Sequence, residues 1–295
     1  MYDIIVVGAG PAGLTAGIYA RRANKSVLIL ESQSYGGQIV NATKLENYPG
    51  IASISGFDFA TDLYNQTKNL GAEIKFETVI EVTKDKKVKT EQNTYEAKAV
   101  ILATGAKNRK LGVPEEDYYL GKGVSYCATC DGNFYKGKIV AVVGGGNTAL
   151  EDAIYLSEIA KKVYLIHRSD KFKGEVQYVN ELKGKDNVEF ILNSNVVDLK
   201  GEVLESIDVK DKEENIRNIE VSGLFVAVGQ APSNDIFKNK VDLNHFGYIE
   251  TIDDVHTKTK GIYVAGDTRT KDLRQLTTAV SDGSIAATVA IKEMK

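Results

Sequence analysis

One pattern occurs twice in this chain. "DIIVVGAGPAGLTAGIYARRANKSVLILES" spans 3–32 and "IVAVVGGGNTALEDAIYLSEIAKKVYLIHRS" spans 139–169. Gly8 aligns with Gly144, Gly10 with Gly146 and Gly13 with Ala149. Each copy reads as a short β-branched strand, a glycine turn, a helix with apolar residues three and four apart, and a second strand. Glycines that follow a buried-type strand and open a helix mark a dinucleotide-binding βαβ unit. The first glycine permits the tight turn, the second lets the backbone approach a pyrophosphate, and the third position must be small for helix and strand to pack. Pro11 and Ala12 open the first helix, whose free N–H groups would meet the phosphates. The repeat therefore predicts an α/β fold with two Rossmann-like domains.

The copies differ at the end of their second strand. Copy one has Glu31, a carboxylate able to accept from both hydroxyls of an adenosine ribose, which suits FAD or NAD. Copy two has His167 and Arg168, which attract a 2′-phosphate and suit NADP better than NAD. A solvated strand end is the plainer alternative for this pair. Further on, "GIYVAGD" (261–267) reads as a strand ending at Asp267, an acceptor for a sugar-alcohol hydroxyl. "RQLTTAVSDGSIAATVAI" then reads as a helix of small residues from about Thr277, whose N-terminus would favour negative charge near flavin N1.

The only cysteines, Cys127 and Cys130, stand in "SYCATCDGNF". Three readings compete. A zinc site needs about four ligands, and His167, His245 and His256 are far away in sequence. A structural disulfide over so short a loop stabilises weakly. A C-x-x-C pair suits reversible redox chemistry, in which one thiol attacks and the other resolves. Beside two nucleotide motifs the redox reading is the expectation, and no metal site is expected.

Composition narrows the class. With 43% apolar and 26% charged residues and a net charge of −3 over 295 residues, the chain is typical of globular proteins and gives no reason to expect nucleic acid or an anionic membrane as partner. No apolar run approaches the ~20 residues of a membrane span. "MYDIIVVGAG" lacks a basic n-region and a cleavage pattern, and two cysteines make no disulfide scaffold, so a cytoplasmic protein is expected.

"GAGPAG", "GGQI", "NYPG", "ATGA", "CATCDG", "GGGNTA", "AGD" and "RQLTTAVSDG" follow one another here. In this order the chain resembles the low-molecular-weight, bacterial-type thioredoxin reductases, class II pyridine nucleotide-disulfide oxidoreductases, over essentially its whole length. The resemblance implies two three-layer ββα domains, the second inserted into the first. Turn-rich "GVPEED" and "NKVDLNHFG" place the insert at 113–239, leaving 1–112 and 240–295 as a split FAD domain; two backbone crossings make a natural hinge. It implies FAD at Gly8–Gly13, Glu31, Gly36, Gly37, Gln38, Asn47, Ala103, Thr104, Gly105, Asp267, Arg274 and Gln275. It implies NADPH at Gly144, Gly146, Asn147, Thr148, His167, Arg168 and Lys173.

By the same resemblance Cys130 faces the flavin and Cys127 attacks the disulfide of thioredoxin or a similar dithiol protein. Asp131 is the implied acid/base, since "IAATVAIKEMK" holds no His; a helix cap or turn role is the alternative. A homodimer is also implied. Two departures matter. The phosphate-binding run HRRxxxR is "HRSDKFK" here, with Ser169 and Lys173 for two arginines, which leaves NADH or a ferredoxin as alternative donors. After "CDG", Asn133 precedes Phe134 and Tyr135 where the family often has two Phe that help dock thioredoxin. A flavin-dependent dithiol oxidase and a non-enzymatic flavin redox sensor are the competing functions.

Overall fold

A computed structural model describes residues 1–42 and 44–294. The chain divides into two compact units. One is Met1–Lys107 with Ala231–Lys295; the other is Asn108–Gln230. The crossings thus lie outside the turn-rich stretches expected to mark them, at 107–108 and 230–231 rather than at 113 and 239. Packing explains the shift. Leu111 and Val113 lie against the core of the inserted unit, while Phe237 is buried in the core of the split one.

In the split unit, strand Tyr2–Val7 is flanked by parallel Val27–Glu31 and Thr94–Leu102, with Glu73–Phe76 and Ile262–Val264 outside them. The first half of Thr94–Leu102 also continues into an antiparallel meander with Lys87–Thr90 and Val79–Val82. The two-residue period of a strand divides the side chains between two cores. Ile4 and Val6 face the core under helices Pro11–Arg22 and Leu276–Glu293, and Ile5 and Val7 face the core under the meander. The C-terminal helix begins at Leu276, close to the expected Thr277, because Gln275 and Thr278 form a reciprocal capping box.

The inserted unit repeats this plan. Its sheet runs Val188–Leu192, Lys162–His167, Ile139–Gly144, Gly223–Ala227 and Val124–Ser125, parallel throughout. Helix Asn147–Ile159 covers one face; a three-stranded antiparallel sheet, Ser194–Lys200, Ser206–Asp211 and Ile216–Glu220, contributes to the core on the other. Both units are three-layer ββα Rossmann-like folds. No described helix is long and apolar enough to cross a membrane.

The far end of the C-terminal helix is tied by a charged cluster. His256 meets Asp253 through Nδ1 at 2.7 Å and Glu293 through Nε2 at 2.8 Å, and Tyr263 donates to Glu293 at 2.7 Å. These carboxylates raise the His256 pKa above 6.5, Glu293 contributing most. Its stabilisation is therefore complete below pH 6.5 and is lost as pH rises through the raised folded value. The groups are partly exposed, so the effect is expected to stay below about 1 kcal/mol. Thermal unfolding across this window should show a small fall in stability that His256→Gln removes; an unchanged step in the variant contradicts the assignment.

Candidate active site

Gly8 ends the first strand with φ +109, and a side chain there would stand 2.3 Å from the Ala103 carbonyl. Only glycine combines that backbone with that approach. The turn it opens gathers the expected residues of the split unit. Glu31 accepts from the Ala9 N–H at 2.8 Å, and Gly36 donates to the Ala9 carbonyl at 2.8 Å. Gly10 caps helix Pro11–Arg22 beside Gly37, and Gly266 lies against Ala12. Asn47 donates to Gln275 at 3.2 Å, and Thr104 bonds Thr268 at 2.8 Å. Arg274 lies 4.1 Å over the Tyr248 ring. Gln38 is exposed within the 3-10 turn Gly37–Asn41, and Gly105 follows Thr104 at the end of its strand.

Asp267 stands out electrostatically. Its Oδ1 is buried and receives no directed hydrogen bond; the Lys271 ammonium is 3.2 Å away. Burial pushes its carboxyl above the usual range against the pull of Lys271 and Arg274. A buried acceptor left short of a donor calls for one.

In the inserted unit Gly144 packs as Gly8 does, with a side chain there 2.3 Å from the Ala227 carbonyl. Gly146 faces open space at the N-terminus of helix Asn147–Ile159, and Thr148 is exposed beside it. Asn147 is engaged at both ends of its amide by Glu175, at 2.8 and 3.1 Å. Lys173 and Gly174 donate to the Gly145 carbonyl, which folds 168–174 back over the turn.

His167 points into the turn it follows. It is buried, lies over Gly145, stacks on Phe172 at 5.0 Å, and bonds the Lys171 carbonyl and Ser169. Burial lowers its pKa, with the Arg168 and Lys173 charges adding to the effect, so it supplies shape rather than charge. Ser169 is spent on His167 and the Lys171 carbonyl. Arg168 and Lys173 remain exposed and form no ion pair among the described residues.

Strand Val124–Ser125 pairs with Leu224–Phe225, parallel to the strand that ends at Gly144. Parallel strands carry their following loops to one edge, so the cysteine loop and the glycine turn share the carboxyl edge of this sheet. Cys127 and Cys130 form a disulfide with their Cα atoms 5.3 Å apart. Ser125, buried and not singled out by the sequence, organises this loop. Its hydroxyl donates to Asp131 at 2.6 Å and accepts the Cys127 N–H at 3.1 Å. Asp131 Oδ1 is buried and unpartnered; burial raises the carboxyl pKa and the Ser125 bond partly offsets it. Asp152, on helix Asn147–Ile159, was also missed; burial, with the Glu151 charge, pushes it to about 7. Tyr135 packs inward on Phe225, at 5.2 Å, and over Gly223.

The pyridine nucleotide-disulphide oxidoreductase family matches residues 2–283. The chain belongs to that family. It is similar to the thioredoxin reductase of Bacillus subtilis, 43% identical over an alignment of 297 positions that covers 97% of this chain and 93% of that one. A 34.2 kDa protein in the rubredoxin operon of Clostridium pasteurianum is 42% identical over an alignment of 300 positions that covers 98% of this chain and 96% of that one. The crystal structure of thioredoxin reductase from Streptococcus pyogenes matches with a TM-score of 0.94 at 41% identity, covering 99% of this chain and 97% of that one.

Membership makes the protein an oxidoreductase of the flavoprotein disulfide class and implies FAD and a nicotinamide cofactor. The residues fit both groups. The underserved Asp267 Oδ1 suits a hydroxyl-bearing chain, and the open face of Gly146 suits a phosphate at a helix N-terminus.

Glu31 fastens the first turn as well as ending its strand. Glu31→Ala removes the acceptor of the Ala9 N–H, a loss of about 1–3 kcal/mol. Urea denaturation of the flavin-free variant should show it; unchanged stability would mean that water replaces the bond.

Proposed function

We propose that the protein is a thioredoxin-disulfide reductase that passes electrons from NADPH through FAD and the Cys127–Cys130 disulfide to thioredoxin or a similar dithiol protein. One observation carries the proposal: the cysteine disulfide and a glycine turn open at a helix N-terminus share one sheet edge, beside a carboxyl with a raised pKa. FAD is assigned to the split unit, through Gly8–Gly13, Glu31, Gly36–Gln38, Asn47, Ala103–Gly105, Asp267, Arg274 and Gln275. NADPH is assigned to the inserted unit, through Gly144, Gly146, Asn147, Thr148, Arg168 and Lys173, with His167 shaping the turn. The proposal includes a homodimer, as the sequence resemblance implies, and a cytoplasmic location, as the cysteine usage suggests.

When bound, FAD supplies a two-electron link between nicotinamide and disulfide. The chain's own residues complete the exchange. Reduction opens the Cys127–Cys130 bond to two thiols. The Cys127 thiolate attacks the partner's disulfide, forming a mixed disulfide and expelling one partner thiolate. Cys130 attacks Cys127 Sγ, which reforms the internal disulfide and releases the second thiolate. The two leaving thiolates need protons, and Asp131, next to Cys130 in the chain and with its carboxyl pKa raised by burial, is the group assigned to supply one.

Cys130→Ser removes the resolving thiol and is expected to trap thioredoxin on Cys127 as a stable adduct. Mass spectrometry decides it; an adduct formed only by Cys127→Ser reverses the roles.

Ser125→Ala removes the bond that lowers the Asp131 pKa, so the basic-side fall in turnover should move to higher pH. A pH–rate profile unmoved by the change would deny Asp131 its role.

Donor choice rests on Arg168 and Lys173. Ser169→Arg adds a charged fork and should lower the KM for NADPH by about tenfold or more with little effect on NADH. Equal efficiencies with both cofactors, unmoved by the change, would mean this strand end does not read the phosphate.

A further inference from the structure

Resting on the flavoprotein assignment above, we propose that Lys271 is a positioning residue for FAD: its ammonium, held between Asp267 and Asp282, keeps Asp267 an ionised acceptor for a hydroxyl of the flavin's sugar-alcohol chain.

Lys271 is an unusual lysine. Its side chain is only 7% exposed. The ammonium lies 3.2 Å from Asp267 Oδ1 and 3.2 Å from Asp282 Oδ2, and donates to Thr278 Oγ1 at 3.2 Å. Burying an ammonium is costly unless carboxylates compensate it. Here two carboxylates face it, and they are not equal.

Asp282 is already served. Arg269 grips both its oxygens with a fork, at 2.9 and 2.9 Å, and the Gly266 N–H donates at 3.0 Å. Asp267 has none of this. Its Oδ1 is buried without a directed hydrogen bond, and Arg274 turns its guanidinium to backbone carbonyls and the Tyr248 ring. With Arg269 matched to Asp282, Lys271 is the cation that balances Asp267. It neutralises the carboxylate from one side at 3.2 Å, and a carboxylate oxygen with one ammonium contact keeps lone-pair capacity for a further donor.

The titration of Asp267 follows from the same neighbours. Burial raises its pKa; the charge and close contact of Lys271, first, and the Arg274 charge hold it down, and Asp282 adds a smaller push upward. Without the ammonium the carboxyl protonates at higher pH, and a protonated carboxyl loses its charged acceptor. A purely structural lysine, one that only joins the 266–271 turn to the C-terminal helix, would lack this link to Asp267 ionisation.

The test is FAD uptake by the flavin-stripped full chain, followed by quenching of flavin fluorescence across a pH series. Lys271→Met is expected to weaken FAD about 10- to 150-fold near neutral pH and to move the acid-side loss of affinity to higher pH. Lys271→Arg should restore most of the affinity. In the Asp267→Asn background, Lys271→Met should add little. Parent affinity and pH profile in Lys271→Met overturn the proposal, as does an equal loss in the Asp267→Asn background, which would show Lys271 acting through the fold alone. A parent chain that takes up no FAD at any pH overturns the flavoprotein assignment itself, and this inference with it, so the two failures are distinct.

Discussion

The backbone of Gly8 lies so close to the Ala103 carbonyl that no side chain fits between them, and Gly144 stands the same way against Ala227. These contacts set the geometry of both units. Each draws the end of a central strand against its neighbour at the point where the chain turns into a helix, leaving that helix N-terminus open at the carboxyl edge of a parallel sheet. Ligands bind such sheets at that edge. The two units use it differently. The split unit surrounds its turn with polar groups from the rest of its chain, Asn47, Thr104, Asp267 and Gln275 among them. The inserted unit leaves Gly146 open and brings its disulfide to the same edge.

The disulfide loop is short and borrows its rigidity. Ser125 belongs to an edge strand, so its position is set by pairing with Phe225. From there one hydroxyl holds the Cys127 amide and the Asp131 carboxylate. Ahead of it, Tyr126 bonds Glu116, which also takes the Leu111 and Gly112 amides. Anchoring by hydrogen bonds outside the cysteines lets a dithiol and a disulfide exchange without rebuilding the surroundings, which reversible redox work requires. The family assignment agrees with that chemistry.

Much of this was legible in the sequence because it is local. Strand, turn, helix and strand follow one another within each repeat, and the hydrophobic period alone separates Ile4 and Val6 from Ile5 and Val7 on opposite faces. The start of the C-terminal helix was legible within a residue because its capping box lies beside it. What escaped depends on distant partners. Asn234 is buried and links Thr104, Thr268 and the Gly247 carbonyl, all far from it in sequence. Ser125 and Lys271 carry no motif; their meaning appears only when Asp131 and Asp267 are found short of donors. His167 also shows how a distant packing partner changes the reading of a residue. Its position predicts a phosphate ligand, and Phe172 and Gly145 pack it into the turn, while Arg168, Lys171 and Lys173 keep exposed charge.

The central claim is that the bound flavin and the Cys127–Cys130 disulfide form one electron path. Anaerobic titration of the FAD-loaded protein with NADPH measures this directly. The parent is expected to consume about twice as much reductant per flavin as a Cys127→Ser, Cys130→Ser double variant, because flavin and disulfide each take an electron pair. Equal consumption by the two proteins would contradict the account, since the disulfide would then lie outside the path.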